Sequence, residues 1–414
     1  MRRSLIAMFA LVSCSNPAPS PEAAKKAWEA GRQKMDGGDP DGAIVEFSRA
    51  IKSDPGFAPA WHDRGRAKYA KGEYKDAIAD HTEAIRLVPN TSAYHCDRGM
   101  AKWEIDEIDG ALEDFARALA LDPANAEALA GRAGCKFEKD DYAGAIEDAT
   151  KSIALQSHQV DAYVVRGAAR DHLGDFDGAI QDQTRALDCD PRSAWALINR
   201  ARARFGKGDY DASLSDATRA IDSDPRSAWA HAERGRARQA KGNTAGANSD
   251  FESAMRLDPK YGKAYRYRGF LHADQKAWQE SAADFRKAVE LAPRYQPLLI
   301  HHVWLALTRS GEADAAQREL DSWVAGKSGW SAALARFLAG TMSEEALFKG
   351  IEGDDWKDKM RGCDAYFFAA IKRLVAGDKR TAEAYLTKAL ATEAKMLHSW
   401  QRSRVELEAL RSGK

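Results

Sequence analysis

One spacing constrains this chain more than any other: small residues and prolines recur every 34 positions. From Gly65, equal steps reach Gly31, Gly99, Ala133, Gly167, Ala201, Gly235 and Gly269. From Ala77 they reach Ala43, Ala111, Ala145, Ala179, Ser213, Ala247 and Ser281. From Pro89 they reach Pro55, Pro123, Pro191, Pro225, Pro259 and Pro293, with Ser157 the one lapse. Within one period, Trp61–Pro89 reads as two amphipathic helices. The first runs to about Lys71, and Gly72 supplies a left-handed cap. The second holds Ala77, Ile78, Ala84, Ile85 and Leu87 on one face. Gly65, Ala77 and Ala84 fall where the helices cross, which lets their backbones approach to about 8–10 Å.

A period of this length with these residues resembles the tetratricopeptide (TPR) repeat, over about two thirds of the chain. The resemblance implies an all-α superhelical solenoid of stacked helix-turn-helix units, each touching only its neighbours. Eight units follow without a gap, at 24–57, 58–91, 92–125, 126–159, 160–193, 194–227, 228–261 and 262–295. The first is atypical, as expected of a terminal repeat. Units six and seven share the heptapeptide DPRSAWA (Asp190–Ala196 and Asp224–Ala230), which puts Trp195 and Trp229 in phase. Residues 296–362 read as degenerate helical units, with Ser343 as a helix N-cap. Residues 363–414 read as a final repeat-like unit with a closing amphipathic helix, Leu397–Leu410.

Units two to eight carry a second register. Their seventh place is arginine: Arg64, Arg98, Arg132, Arg166, Arg200, Arg234 and Arg268. Sixteen residues on stands aspartate: Asp80, Asp114, Asp148, Asp182, Asp216, Asp250 and Asp284. The arginine belongs to the first helix and the aspartate to the second. This predicts a structural ladder of bidentate, partly buried pairs within or between units. The invariable aspartate argues against a stripe of free arginines for an acidic ligand.

The N-terminus is separate. Arg2 and Arg3, an apolar run at Leu5–Val12 and Leu11-Val12-Ser13-Cys14 look like a bacterial lipoprotein signal, which implies cleavage after residue 13 and lipidation of Cys14. Ser15 is the kind of residue that goes with outer-membrane sorting. Residues 14–23 read as a Pro/Ser tether. No apolar run after the N-terminus is long enough to span a bilayer. Cys96, Cys135, Cys189 and Cys363 stand in no CxxC pair and at no metal spacing, so they read as small buried helix residues.

The C-terminal third narrows the resemblance. FLAGTMSEEAL, a charged insertion, CDAYFFAAIKRLVAGDKRTAEAYLTKAL and a last helix with SRVELEAL are similar to the end of NlpI-like bacterial TPR lipoproteins. That resemblance implies an adaptor on the periplasmic face of the outer membrane, presenting peptidoglycan hydrolases to a periplasmic protease. Eight regular units exceed what that family carries.

Catalytic signatures are missing: there is no GxSxG, HExxH, P-loop or Gly-rich dinucleotide turn, and the adjacent His301 and His302 do not face one another on a helix. No enzyme activity, cofactor or metal is expected. Sixty-two bases balance sixty-two acids, so no basic excess points to nucleic acid. The TPR resemblance places a partner groove on the concave face, at the second, fifth, ninth and twelfth places of each unit. Those places hold Trp28, Arg32, Met35, His62, Arg66, Tyr69, Met100, Trp103, Phe137 and Val164, then Trp195, Ile198, Arg202, Phe205, Trp229, Arg236, Lys263, Arg266 and Phe270. Aromatics and arginines are the residues of interface hot spots. Trp28, Arg32 and Asp63 stand where chaperone-tail binders carry a lysine/asparagine clamp, so that ligand is not expected.

The expectation is a non-enzymatic adaptor, lipid-anchored in the bacterial cell envelope. The atypical first unit and the divergent C-terminal end are the places for a homodimer contact. The alternatives are an assembly, secretion or pilus accessory factor, a soluble scaffold if the signal reading fails, or a catalytic site hidden in 325–362.

Overall fold

A glycine at a helix crossing leaves room for one large side chain on the facing helix, and where the place is alanine the facing residue is alanine as well. The computed structural model describes residues 20–292, 299–351, 356–394 and 397–412. Cys14 and Pro293 lie outside them. The chain divides into two units, Met1–Ser157 and His158–Lys414. In the first, helices pair consecutively: α1 (Pro21–Asp36) with α2 (Pro40–Ser53), α3 (Ala58–Ala70) with α4 (Tyr74–Leu87), α5 (Ser92–Glu104) with α6 (Ile108–Leu121), and α7 (Ala126–Glu138) with α8 (Tyr142–Leu155).

The second unit continues with four more hairpins: α9 (Val160–His172) with α10 (Phe176–Cys189), α11 (Ala194–Lys207) with α12 (Tyr210–Ser223), α13 (Ala228–Ala240) with α14 (Thr244–Leu257), and α15 (Gly262–Asp274) with α16 (Trp278–Leu291). After them come α17 (Leu299–Arg309), α18 (Ala313–Val324), α19 (Trp330–Leu338), α20 (Glu344–Phe348), α21 (Trp356–Val375), α22 (Lys379–Ala391) and α23 (His398–Ser412). No strand occurs among the described residues.

The crossing pairs match in size. Gly31 faces Phe47, Gly99 faces Phe115, Gly235 faces Phe251 and Gly269 faces Phe285, where an added Cβ would meet the ring at 2.5, 3.0, 2.6 and 2.8 Å. Where the first helix carries Ala133 or Ala201 instead, the partner place holds Ala149 or Ala217. All of these second-helix side chains are buried, so a ring is accommodated only where the facing place has no side chain. Two units depart from the apolar rule. Gln183, opposite Gly167, donates to the Val164 carbonyl at 2.9 Å. His81, opposite Gly65, is fully buried with neither ring nitrogen hydrogen-bonded. Burial pushes its imidazole down to about 4.

The turns repeat as well. Gly72 is left-handed at φ +78, as its place requires. At the same place Asp106, Asp140 and Lys276 adopt φ 64, 61 and 61 without being glycine. Asp or Asn caps several second helices, as Asp141 does by accepting from the Gly144 amide at 3.0 Å. One boundary differs from the sequence reading. The first helix starts at Pro21, inside the expected tether, because proline suits the first helical turn and the Ser20 amide donates to the Ser53 carbonyl at 2.8 Å.

A polar layer runs beside the crossings. Each of the seven arginines binds the aspartate of its own hairpin through two nitrogens, at 2.6 to 3.2 Å. The rungs therefore lie within units. Every one of these aspartates also holds a second basic group from one helical turn further along: Lys68, Lys102, Lys136, Arg170, Arg204, Arg238 or His272, at 2.6 to 3.1 Å. Arg64, Arg98 and Arg200 reach the preceding hairpin as well, donating to Ser48, Thr82 and Thr184 at 3.0, 3.2 and 3.1 Å. Burial alone would raise the carboxyl of Asp114 and Asp148, but the paired cations outweigh it and hold both below their ordinary value. The first hairpin has Ala30 and Glu46 in the corresponding places and no rung.

Beyond the repeats, α17 is apolar nearly all round and wholly buried from Leu299 to Leu307. Val303, Trp304, Leu307, Leu320, Phe337, Phe367, Phe368 and Leu386 join it in the largest apolar core of the second unit. Ser343 caps α20 by accepting from the Ala346 amide at 3.2 Å. The stretch from Trp356 to Gly362, expected as part of a charged insertion, is helical and extends α21 before Cys363. Cys96, Cys135 and Cys363 are buried, whereas Cys189 is exposed, because it ends α10 where the helix leaves the core.

Two stability outcomes follow from these contacts. Arg200 is only 8% exposed, so Asp216→Ala, which strands Arg200 and Arg204, is expected to cost about 3–5 kcal/mol in chemical denaturation. Arg200→Lys should cost less than Asp216→Ala but still destabilise, since the charge stays and the two-pronged geometry goes; a cost of Asp216→Ala below about 1 kcal/mol would class the rung with exposed pairs. For His81, the unfolded imidazole titrates near 6.5 and the folded one near 4, so between those values the unfolded chain binds more protons. Stability should fall as pH drops through that window. His81→Phe, which restores the pairing of Gly31 with Phe47, should raise the melting temperature and flatten this pH dependence; an unchanged slope would refute the assignment.

Candidate functional site

The face formed by the first helix of each hairpin carries the side chains that remain after crossings and rungs are made. In the first unit, much of this face is stitched from one first helix to the next. The Trp28 indole donates to Asp63 at 2.7 Å, His62 meets Asp97 at 2.8 Å, and the Tyr69 hydroxyl donates to Glu104 at 3.0 Å. His62 is buried, stacks near Tyr94 at 4.5 Å, and although burial opposes its charge, Asp63 and Asp97 raise its basicity. Arg32 remains exposed with its guanidinium 5.1 Å from the Trp28 ring, and exposed Arg66 approaches Asp97 at 3.7 Å. Met100 and Trp103 pack against the core around Phe115, and the Trp103 ring covers Gly134 of the next first helix. Met35 and Phe137 are half-buried. Of the residues expected to meet a partner here, Arg32 and Arg66 present the most open surface.

The second unit is different. Trp195 is 64% exposed, and its ring lies 5.0 Å from that of Trp229 in an edge-to-face arrangement. Lys263 sits over the other side of this pair, with its ammonium 5.6 Å from the Trp229 ring. Arg236 lies 3.7 Å above Phe205 and 5.4 Å from Tyr267, and Arg266 stacks 4.8 Å from the same tyrosine. Two buried carboxylates sit among these cations. Asp171 holds Arg202 at 2.7 Å, while Glu233 accepts from Trp229, Tyr267 and Arg236 at 3.4, 3.1 and 3.5 Å. Burial and the neighbouring Arg202 and Arg266 push the Lys263 ammonium down to about 8.

Some expected groove residues are not available to a partner. Ile198 and Phe205 are buried, the latter under Arg236, and Val164 packs against the core of its hairpin. Phe270 is covered by the chain itself: α23 returns to stack His398 on it at 4.0 Å. Asp274 anchors that return, with His398 and Arg402 each at 3.3 Å and the Gln239 amide at 2.7 Å, and Arg309 meets Glu406 at 3.2 Å. Ser399, Ser403 and Leu407, on the adjoining face of α23, are buried; Ser399 donates to Asp364 at 2.6 Å. The last helix thus closes the C-terminal core and one edge of the first-helix face together.

Asp97, Asp171, Glu233 and Asp274 were not singled out from sequence, and Asp63 was read only as a place where a clamp is missing. A signal existed, since Trp28 and Asp63, His62 and Asp97, Tyr69 and Glu104, and Gln239 and Asp274 are all 35 residues apart. Among the described residues, one group has metal-ligand geometry, Cys96 with Asp97 and Glu127. It suits a cation poorly, because burial keeps the Cys96 thiol protonated and Asp97 is engaged by His62. No helix among the described residues is long and apolar enough to cross a membrane.

A tetratricopeptide-repeat family model matches residues 29–90, 96–157, 198–247 and 232–295, more than half of the chain. The chain belongs to the tetratricopeptide repeat family. TPR arrays are scaffolds for protein–protein interaction, and that general role extends to this member. Among solved structures, the human IFIT1 dimer with m7Gppp-AAAA is 14% identical, with a TM-score of 0.55 over 90% of this chain and 90% of that one. A tetratricopeptide repeat protein from Parabacteroides merdae is 20% identical over 57% of this chain and 94% of that one, at a TM-score of 0.47. YrrB, a TPR protein with an unusual peptide-binding site, is 22% identical over 47% of this chain and 97% of its own, at a TM-score of 0.37. At these identities the likeness is one of fold. No curated protein matches the sequence.

Proposed function

We propose that this TPR protein is a non-enzymatic adaptor of the bacterial cell envelope, anchored through a lipid on Cys14 to the periplasmic face of the outer membrane. The observation that carries the binding part is the exposed Trp195 beside Trp229, flanked by cations on the first-helix face. An exposed indole in that setting has the character of an interface hot spot. The anchor rests on the basic, apolar and Leu11-Val12-Ser13-Cys14 order of the N-terminus. Held at a membrane surface, an array with more than one binding face raises the effective concentration of its guests for one another. Peptidoglycan hydrolases and a periplasmic protease are the guests that the C-terminal resemblance to NlpI-like lipoproteins suggests.

Two measurements test this reading. Pull-downs from native membranes should lose their main co-purifying proteins with Trp195→Ala/Trp229→Ala, and an unchanged set would overturn the assignment of the face. Radiolabelled palmitate should enter the wild type and not Cys14→Ser; equal labelling, or none in either, would end the lipoprotein proposal.

A further inference from the structure

Within one cluster on the first-helix face of the second unit, the four cations Arg202, Arg236, Lys263 and Arg266 surround two carboxylates, Asp171 and Glu233. Arg202 is paired with Asp171, and Arg236 meets Glu233. Lys263 and Arg266, one helical turn apart on α15, contact the Trp229 and Tyr267 rings and are in no salt bridge among the described residues. The Arg266 Nε and the Tyr261 hydroxyl beside it are buried with no hydrogen-bond partner. Leaving such groups unpaired is costly in a folded chain, and each is a donor suited to an incoming oxygen. Trp229 and exposed Trp195 extend from Lys263 as an apolar platform.

We infer that the face formed by α11, α13 and α15 binds a peptide segment bearing a carboxylate, which Lys263 and Arg266 receive while Trp195 and Trp229 take the apolar side chain next to it. The inference rests on the proposal that this face holds polypeptide, and adds the chemistry of the guest. The charge count favours a peptide over nucleic acid. Asp171 and Glu233 are buried within the same cluster and offset two of its four cations, and the remaining surplus matches one or two carboxylates rather than a polyanion. The site is bounded at Phe270 by His398, so the guest extends from α15 back toward α11.

Fluorescence anisotropy with labelled short peptides tests this on the intact chain. An acetylated, amidated Glu-Leu repeat peptide should bind, weakening as salt rises, whereas the Gln-Leu counterpart should bind at least about tenfold more weakly. Lys263→Gln/Arg266→Gln should lose the same factor while a thermal melt shows it folded, and Arg49→Gln, on an exposed second-helix surface of the other unit, should bind as the wild type does. Binding only of a peptide with a free C-terminus would retain the site and identify a chain terminus as the source of the carboxylate. If Gln-Leu binds equally and Trp195→Ala/Trp229→Ala abolishes it, the peptide face stands and the acidic assignment falls. Binding of neither peptide overturns both, and displacement of the Glu-Leu peptide by oligoadenylate RNA at lower concentration would replace the peptide reading with a nucleic-acid one.

Discussion

Close approach of two helices within each hairpin is the constraint from which the rest of this molecule follows. A side chain on the first helix at the crossing would collide with the second, so the place is glycine wherever the partner is phenylalanine, histidine or glutamine, and alanine where the partner is alanine. Bulk on one helix is met by its absence on the other, as a close-packed interior requires, and the two alanine pairs fill the crossing with a small side chain from each helix. Once the hairpin is held, its first helix has one side committed to the crossing and one turned toward its neighbours and solvent.

The polar layer is the second consequence. An arginine beside the crossing cannot reach open water with its whole guanidinium, and an aspartate on the facing helix satisfies it at two points. A buried carboxylate with one partner would still have lone pairs to fill, and the basic group one turn further on fills them. The hydroxyls of Ser48, Thr82 and Thr184 carry the same arginines across to the preceding hairpin. Directional polar contacts of this kind fix the register of one hairpin on the next, where small apolar residues alone would allow sliding.

How much of this could be read from sequence depended on range. The hairpins were legible, because the crossing residue and the closing proline recur at a fixed period, and Arg166 and Asp182 stand in a register too regular for a surface. The second cation went unread although Lys68, Arg170 and His272 occupy one place, because three residue types share the role. The stitching of Trp28 to Asp63 was hidden by comparing like places between units, when the contact joins a place to its successor in the next unit. Phe205 was read as a groove residue because its place faces that side, yet Arg236 covers it. The return of α23 to Phe270 had no local signal at all: His398 lies far along the chain, and only the packing of α21 and α22 brings it back.

The rungs have an electrostatic consequence reaching past stability. Their thirteen arginines and lysines face only seven aspartates, in a chain whose formal charge is zero. Everything outside the rungs therefore carries six more acids than bases. A negatively charged molecule is therefore drawn to the places where cations outside the rungs gather, as they do around Tyr267 and Trp229.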